Sequence, residues 1–170
     1  MCIITLVALF VCMAQKPKGI KLTEDDIAAI QRAVYGEVAS EDYATMKMVA
    51  QSIVNRLLSG RKKEFGSNLS KILQKGYYAV KNPNQPYRQA LSGKFEDKTS
   101  TEKWLQAQKA VSDVIKNQDW GEAMFYFTPE EVKKQTEAKT FDFTQVVPTG
   151  NVGKFTTFAY SAPVSHYQKE

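Results

Sequence analysis

Residues 23–56 read TEDDIAAIQRAVYGEVASEDYATMKMVAQSIVNR, and two helical periods lie inside them. Thr23 is placed to cap the first helix, and Glu24, Asp25 and Asp26 set negative charge against its positive end. Ile27, Ile30 and Val34 then recur at helical spacing. A second amphipathic run covers Tyr43 to Leu58, with Tyr43, Met46, Ala50, Ile53, Val54 and Leu57 on one stripe. Ser40 is a plausible cap for it, and Ser59-Gly60 a plausible stop. At about 100° per residue, Ile27, Ile30, Val34 and Glu37 fall within about an 80° arc. One carboxylate therefore shares the face of the core-forming aliphatics.

Outward from this pair the pattern stays mostly helical. Residues 61–100 are rich in Gly, Asn, Pro, Ser and Lys. The short apolar piece Leu69 to Leu73 reads as one or two helical turns, and Gly76-Tyr77-Tyr78 to Tyr87 as an irregular aromatic loop. A long helix is expected from about Thr101 to Asn117, opened by a capping box of Thr99 and Glu102 and striped by Trp104, Gln108, Val111 and Ile115. Beyond Gly121 the period changes. Ala123 to Phe127 is a short aromatic run stopped by Pro129, and Lys154 to Tyr160 alternates like a strand, with a short surface helix over Glu130 to Lys139 between them. The expected fold is mainly α (α+β), a helical domain over 22–165 with a strand pair near its C-terminus.

The 170 residues suit one domain, and the formal net charge of +5 favours polyanions, such as a phosphate-bearing bacterial wall, without choosing among them. The densest basic cluster, Arg61-Lys62-Lys63, has no interleaved aromatics, which argues against nucleic acid. Residues 1–15 form an uncharged apolar segment until Lys16. It is shorter than the roughly 20 residues of a spanning helix and reads as a signal-like leader with Ala14 at the cut, or as a retained segment touching a membrane or a virion protein. Either reading places the chain outside the cytoplasm or on a virion. Both cysteines, Cys2 and Cys12, lie inside the segment, and the single histidine is His166. Zinc hydrolases, cysteine amidases and Ser-His-Asp hydrolases all need more than this, so no metal and no cofactor is expected. Carboxylates, hydroxyls and amides are left to carry any chemistry.

Glu37 is the leading candidate. A carboxyl on an apolar face has its pKa raised by desolvation, and one that stays protonated near neutral pH can act as a general acid. The bland alternative is a rim residue whose head reaches solvent or pairs with Arg32 or Arg56. Tyr35 beside it offers an aromatic hydroxyl, and Gly36 room for close approach of a substrate. Glu41, one turn on, would either raise the pKa of Glu37 further or simply start the next helix. Asn55 falls opposite the apolar stripe, where a solvated position is the plain reading. Tyr78, Tyr126 and Tyr160 are either sugar-stacking walls or core; Trp104 is read as core.

The segment Val34 to Tyr43, continued through Met48 to Arg56, resembles the spore cortex-lytic (SleB/CwlJ-type) cell-wall hydrolases. Gly36, Glu37, Glu41, Asn55 and Arg56 match that pattern without a gap. Looser likeness continues through Gln74-x-Gly76-x-Tyr78, Gly121 to Pro129 and Gly153 to Tyr160. The resemblance implies a lysozyme-like domain cleaving the MurNAc-GlcNAc strand of peptidoglycan, as a lytic transglycosylase or muramidase. Glu37 would be its acid, and Tyr35, Gly36, Glu41, Asn55, Gln74, Tyr78, Tyr126 and Tyr160 would be candidate substrate contacts, with Asn55 making either a substrate or a structural hydrogen bond. Ala39-Ser40, Tyr77 and Thr156 depart from the family pattern at positions that bear on the substrate subsites. A catalytically silent wall-binding or virion component of the same fold is the alternative.

Overall fold

A computed structural model describes residues 20–161; the apolar leader, both cysteines and His166 lie outside them. Eight helices and a small antiparallel sheet follow one another, so the chain is mainly helical with a minor β part. The first helix, α1 (Glu24–Val38), starts as its sequence dictates: Thr23 Oγ1 accepts from the Asp26 N–H while the Asp26 carboxylate accepts from the Thr23 N–H. The second, α2 (Tyr43–Leu58), ends at Ser59, and Gly60 beyond it takes a left-handed φ of +67°. Its cap is Asp42, whose carboxylate accepts from Thr45 N at 2.8 Å, and not Ser40. The acidic side chain one residue before the helix reaches the orphan N–H groups that a serine three residues before it cannot.

Five further helices complete the helical layer: α3 (Lys62–Phe65), α4 (Leu69–Gly76), α5 (Tyr78–Lys81), α6 (Gln85–Ser92) and α7 (Lys98–Lys116). The segment 76–87 is therefore not an irregular loop. Asn84 caps α6 by accepting from Tyr87 N, and Pro86 sits in its first turn, where a missing N–H costs nothing. The cap of α7 is Asp97, which takes the Ser100 N–H at 2.6 Å, so the helix opens before the Thr99–Glu102 pair. Its buried stripe is Ala107, Ala110, Val111 and Val114, with Trp104, Gln108 and Ile115 at the margin. Small alanines let α7 lie close against α1 and α2, which it packs on.

The sheet has three strands in the order β1-β3-β2: β1 (Phe125–Phe127), β2 (Val146–Val152) and β3 (Phe155–Tyr160). The expected pair is present, with Phe125 opposite Phe158 and Phe127 opposite Thr156. The added strand, β2, is an edge strand holding Pro148 and an irregularity between Pro148 and Gly150. An edge position tolerates both, because an edge strand is paired on one side only. Between β1 and β2 runs α8 (Pro129–Glu137), opened by a capping box of Thr128 and Glu131. One apolar core joins Ile30, Val34, Met46, Ile53, Ile72, Val111 and Phe158.

Candidate active site

Glu37 lies in the last turn of α1, where that helix meets α5. Its side chain is half-buried, and its Oε1 accepts the Ala79 N–H of α5 at 2.6 Å. Burial pushes its pKa above the ordinary glutamate value. The Ala79 N–H opposes this, as do the positive Arg56 and the Tyr78 N–H, and the negative Glu131 adds to it. Desolvation is the largest of these effects, so the carboxyl holds its proton more tightly than a free glutamic acid does. No ion pair ties it to Arg32 or Arg56.

Arg56 is instead spent on the scaffold. Its Nε donates to the Met124 carbonyl at 2.9 Å, and its guanidinium lies over the rings of Tyr77, Phe125 and Phe65 at 4.9, 5.2 and 5.3 Å. Gly76 makes this crossing possible: a Cβ there would stand 2.2 Å from Arg56 Nη1. The guanidinium thus locks α2 to α4 and β1, and acts on Glu37 only through space.

Two tyrosines flank the carboxyl. Tyr78 acts on Glu37 through its N–H, the weakest of these effects, and is itself 70% exposed. Tyr126, on β1, has its hydroxyl pKa raised well above 10 by burial first and by the negative Glu37 second, so it remains a neutral donor. Its ring packs edge-on against Phe155. Tyr77, beside Tyr78 in sequence, is buried and shares a 2.9 Å hydrogen bond with Ser52.

On the other side of Glu37 opens a polar groove of about 500 Å³, lined by Tyr35, Gly36, Asn84, Gln89, Ser100 and Lys103 among others. Glu37 lines it, whereas Tyr78, Ala79, Arg56, Tyr126 and Glu131 do not. Tyr35 is a buried wall: its hydroxyl donates to the Ser100 carbonyl at 3.1 Å and its ring meets Phe95 and Trp104 edge-on. Gly36 serves packing before it serves a ligand. A Cβ there would come within 2.7 Å of Ala79 Cβ and 3.0 Å of Tyr87 Cβ, so the glycine admits α5 and α6 against α1.

The remaining candidates are scattered. Glu41 neither continues α1 nor caps α2; it pairs with Lys154 at 2.7 Å, while Lys103 holds its carbonyl. Asn55 is 7% exposed and donates to the carbonyls of Trp120 and Ala123 at 2.8 and 3.0 Å. That corrects the solvated reading, and with both amide hydrogens on backbone carbonyls it is a structural hydrogen-bonder pinning the entry to β1. Gln74 is exposed on α4. Tyr160 belongs to an aromatic cluster with Phe65 and Phe125 and has Arg61 3.4 Å over its ring. Sequence reasoning missed Glu131 as a charge acting on Glu37. The Thr128–Glu131 capping box was there to be read, but nothing local tells which distant side chain it faces.

Among the described residues no group of three His, Cys, Asp or Glu side chains could hold a metal ion, and no helix is long and apolar enough to cross a membrane. Compared with known proteins, the chain matches no family model, no curated protein and no solved structure.

Proposed function

We propose that the chain cleaves the glycan strand of peptidoglycan between MurNAc and GlcNAc, with Glu37 as general acid and then general base. The observation that carries the reading is a half-buried carboxyl, held by a backbone N–H and biased toward its protonated form, at the edge of a polar groove. The likeness of residues 34–56 to cortex-lytic hydrolases adds the substrate class. In the first step the C1–O4 bond breaks and O4 takes the Glu37 proton as positive charge grows on the sugar ring. The carboxylate so formed then withdraws a proton from the 6-hydroxyl as O6 bonds to C1 and closes an anhydro ring, or from a water that attacks C1 instead. The first course needs no second carboxylate.

Burial serves both halves. It keeps the proton on Glu37 before cleavage, and the N–H groups of Tyr78 and Ala79 steady the charge afterwards. The exposed Tyr78 ring offers a stacking face beside the acid, and the Tyr126 hydroxyl a neutral donor. Such an activity operates outside the cytoplasm, on a wall or from a virion. The test is zymography on purified peptidoglycan, with mass spectrometry of released muropeptides. Clearing by wild type and none by a folded Glu37→Gln supports the proposal, with anhydro ends indicating transglycosylase and reducing ends hydrolase. Equal clearing by both proteins overturns the role of Glu37, and no clearing by wild type overturns the activity.

A further inference from the structure

Residues 61–81 hold Arg61, Lys62, Lys63, Lys71, Lys75 and Lys81 against a single acid, Glu64, so this segment alone carries a charge equal to the chain's whole formal net charge of +5. The fold gathers these cations: α3 packs on α4, and α4 on α5. A Cβ on Gly66 would stand 2.7 Å from Lys71 Cβ, and Lys75 Nζ donates to the Lys63 carbonyl at 3.1 Å, so both ends of α4 are drawn to α3. Helix α4 buries Leu69, Ile72 and Leu73 and leaves Ser70, Lys71, Gln74 and Lys75 exposed along its outer face. Lys71 and Lys75 stand one turn apart there, a like-charge spacing that weakens a helix left to itself. Elsewhere cations meet carboxylates, as in Lys47–Asp119, Lys109–Asp113 and Lys154–Glu41. Here Glu64 pairs with Arg61, and the ammonium groups of Lys63 and Lys71 have no partner among the described residues.

We propose that the outer face of α3 and α4 docks a polyol-phosphate polymer, the phosphodiester-linked polyanion class that bacterial walls carry. The lysines meet its phosphates, and Ser70 and Gln74 between them offer a hydroxyl and an amide to its hydroxyl groups. Positive charges crowded within a Debye length repel one another, and a polyanion relieves that repulsion while releasing its own counterions. Nucleic acid suits the face less well, because bases want ring platforms. Phe65 and Tyr77 are buried, Arg61 covers the Tyr160 ring at 3.4 Å, and of the rings in the segment only Tyr78 is exposed. A lipid surface also suits it less well, since the exposed large apolar side chains, Tyr78, Leu91, Leu105 and Val147, all lie off α3 and α4. The wall as the source of the polymer rests on the proposed function; the charge complementarity does not. Helix α4 leads through Tyr77 to the α5 N–H that holds Glu37, so docking here would keep the acid close to the wall.

The test is fluorescence anisotropy of labelled poly(glycerol phosphate) titrated with the full chain, beside oligothymidylate of equal phosphate count and phosphatidylglycerol vesicles. By neutralising about four phosphates, the face should lose roughly 50-fold in affinity between about 50 and 200 mM salt. Lys71→Gln/Lys75→Gln should weaken binding by about ten-fold and lower the salt slope by roughly half. Lys63→Gln/Lys71→Gln should do the same while keeping the bond from Lys75 to α3, so the test stays decisive if the first pair disturbs α4. Lys98→Gln/Lys116→Gln, on α7, makes the same change in net charge and should leave affinity unchanged. The polymer should bind more tightly than the oligonucleotide or the vesicles. No binding at the lower salt, unchanged binding by a folded variant of the face, an equal loss in the α7 variant, or equal or tighter binding of the oligonucleotide or vesicles overturns the surface. Docking is read without cleavage, so the two proposals fail separately. Docking by a chain that releases no muropeptides removes the activity and keeps the surface; release without docking does the reverse.

Discussion

The two sides of Glu37 are built from opposite materials. On one side the carboxyl takes the Ala79 N–H of α5 and feels, through space, the Arg56 guanidinium that lies over the Tyr77 and Phe125 rings. Toward α6 and the start of α7 it lines an open polar groove with Asn84, Gln85, Gln89 and Ser100 along its wall. The packed side sets the affinity of the acid for its proton; the open side has the room and the hydrogen-bonding groups a sugar needs. Low-dielectric packing and a wet polar groove cannot occupy one volume, and placing the acid on the seam gives it both.

Damage to the acid itself should break this division most severely. Glu37→Gln is expected to lower glycan cleavage by about 100-fold or more, the range of general acid–base catalysis, with the circular dichroism spectrum unchanged. The same substitution should leave the protein no less stable, and more so at high pH. A raised native pKa favours folding below the unfolded-state value, and that contribution is lost as pH rises through the native one, so the melting-temperature gap between variant and wild type widens toward alkaline pH.

The packed side comes next. Arg56→Ala removes the donor to Met124 and three ring contacts, which should cost about 2–3 kcal/mol in urea denaturation. Since Arg56 lowers the Glu37 pKa, the alkaline limb of the pH–rate profile should move up in the folded fraction. Glu131→Gln should move that limb the other way and less far, because Glu131 acts on Glu37 more weakly. A limb that ignores both charges would mean that Glu37 does not set it.

Asn55→Ala separates scaffold from site. Losing both bonds to the Trp120 and Ala123 carbonyls should cost roughly 1–3 kcal/mol in thermal unfolding, with cleavage by the folded protein unchanged. Glu41→Gln is the mildest. Its pair with the mostly exposed Lys154 is worth at most about 1 kcal/mol, and a large loss of activity there would show that the second glutamate of the motif does more than hold β3 to the turn after α1.

Helix α1 was legible because its cap and apolar spacing agree, so local chemistry and tertiary burial choose the same residues. Helix α2 was legible by its apolar stripe, though its cap is Asp42 and not Ser40, and α8 by its polar surface pattern after Pro129. Helices α5 and α6 were not, because Asn82, Pro83, Asn84 and Pro86 carry turn propensity, and the same Asn and Pro also start helices. Strand β2 hid behind Pro148 and Gly150, residues that only an edge strand with a bulge admits. Within the site, Glu37 announced itself by standing on an apolar stripe. The Ala79 N–H and Glu131 could not, since their meaning lies in which distant segment they face, and a single sequence does not state that. Asn55 shows the converse: of the substrate or structural hydrogen bond that the motif match implied, the structure has the structural one, to backbone carbonyls.

The account rests on burial outweighing Arg56 and two N–H groups in holding a proton on one carboxyl. Carboxyl-carbon NMR of the full chain, following the Glu37 side chain through a pH titration, reads this directly. The predicted midpoint lies above the ordinary glutamate value of 4.5; a midpoint at or below it would contradict the assignment of Glu37 as the acid.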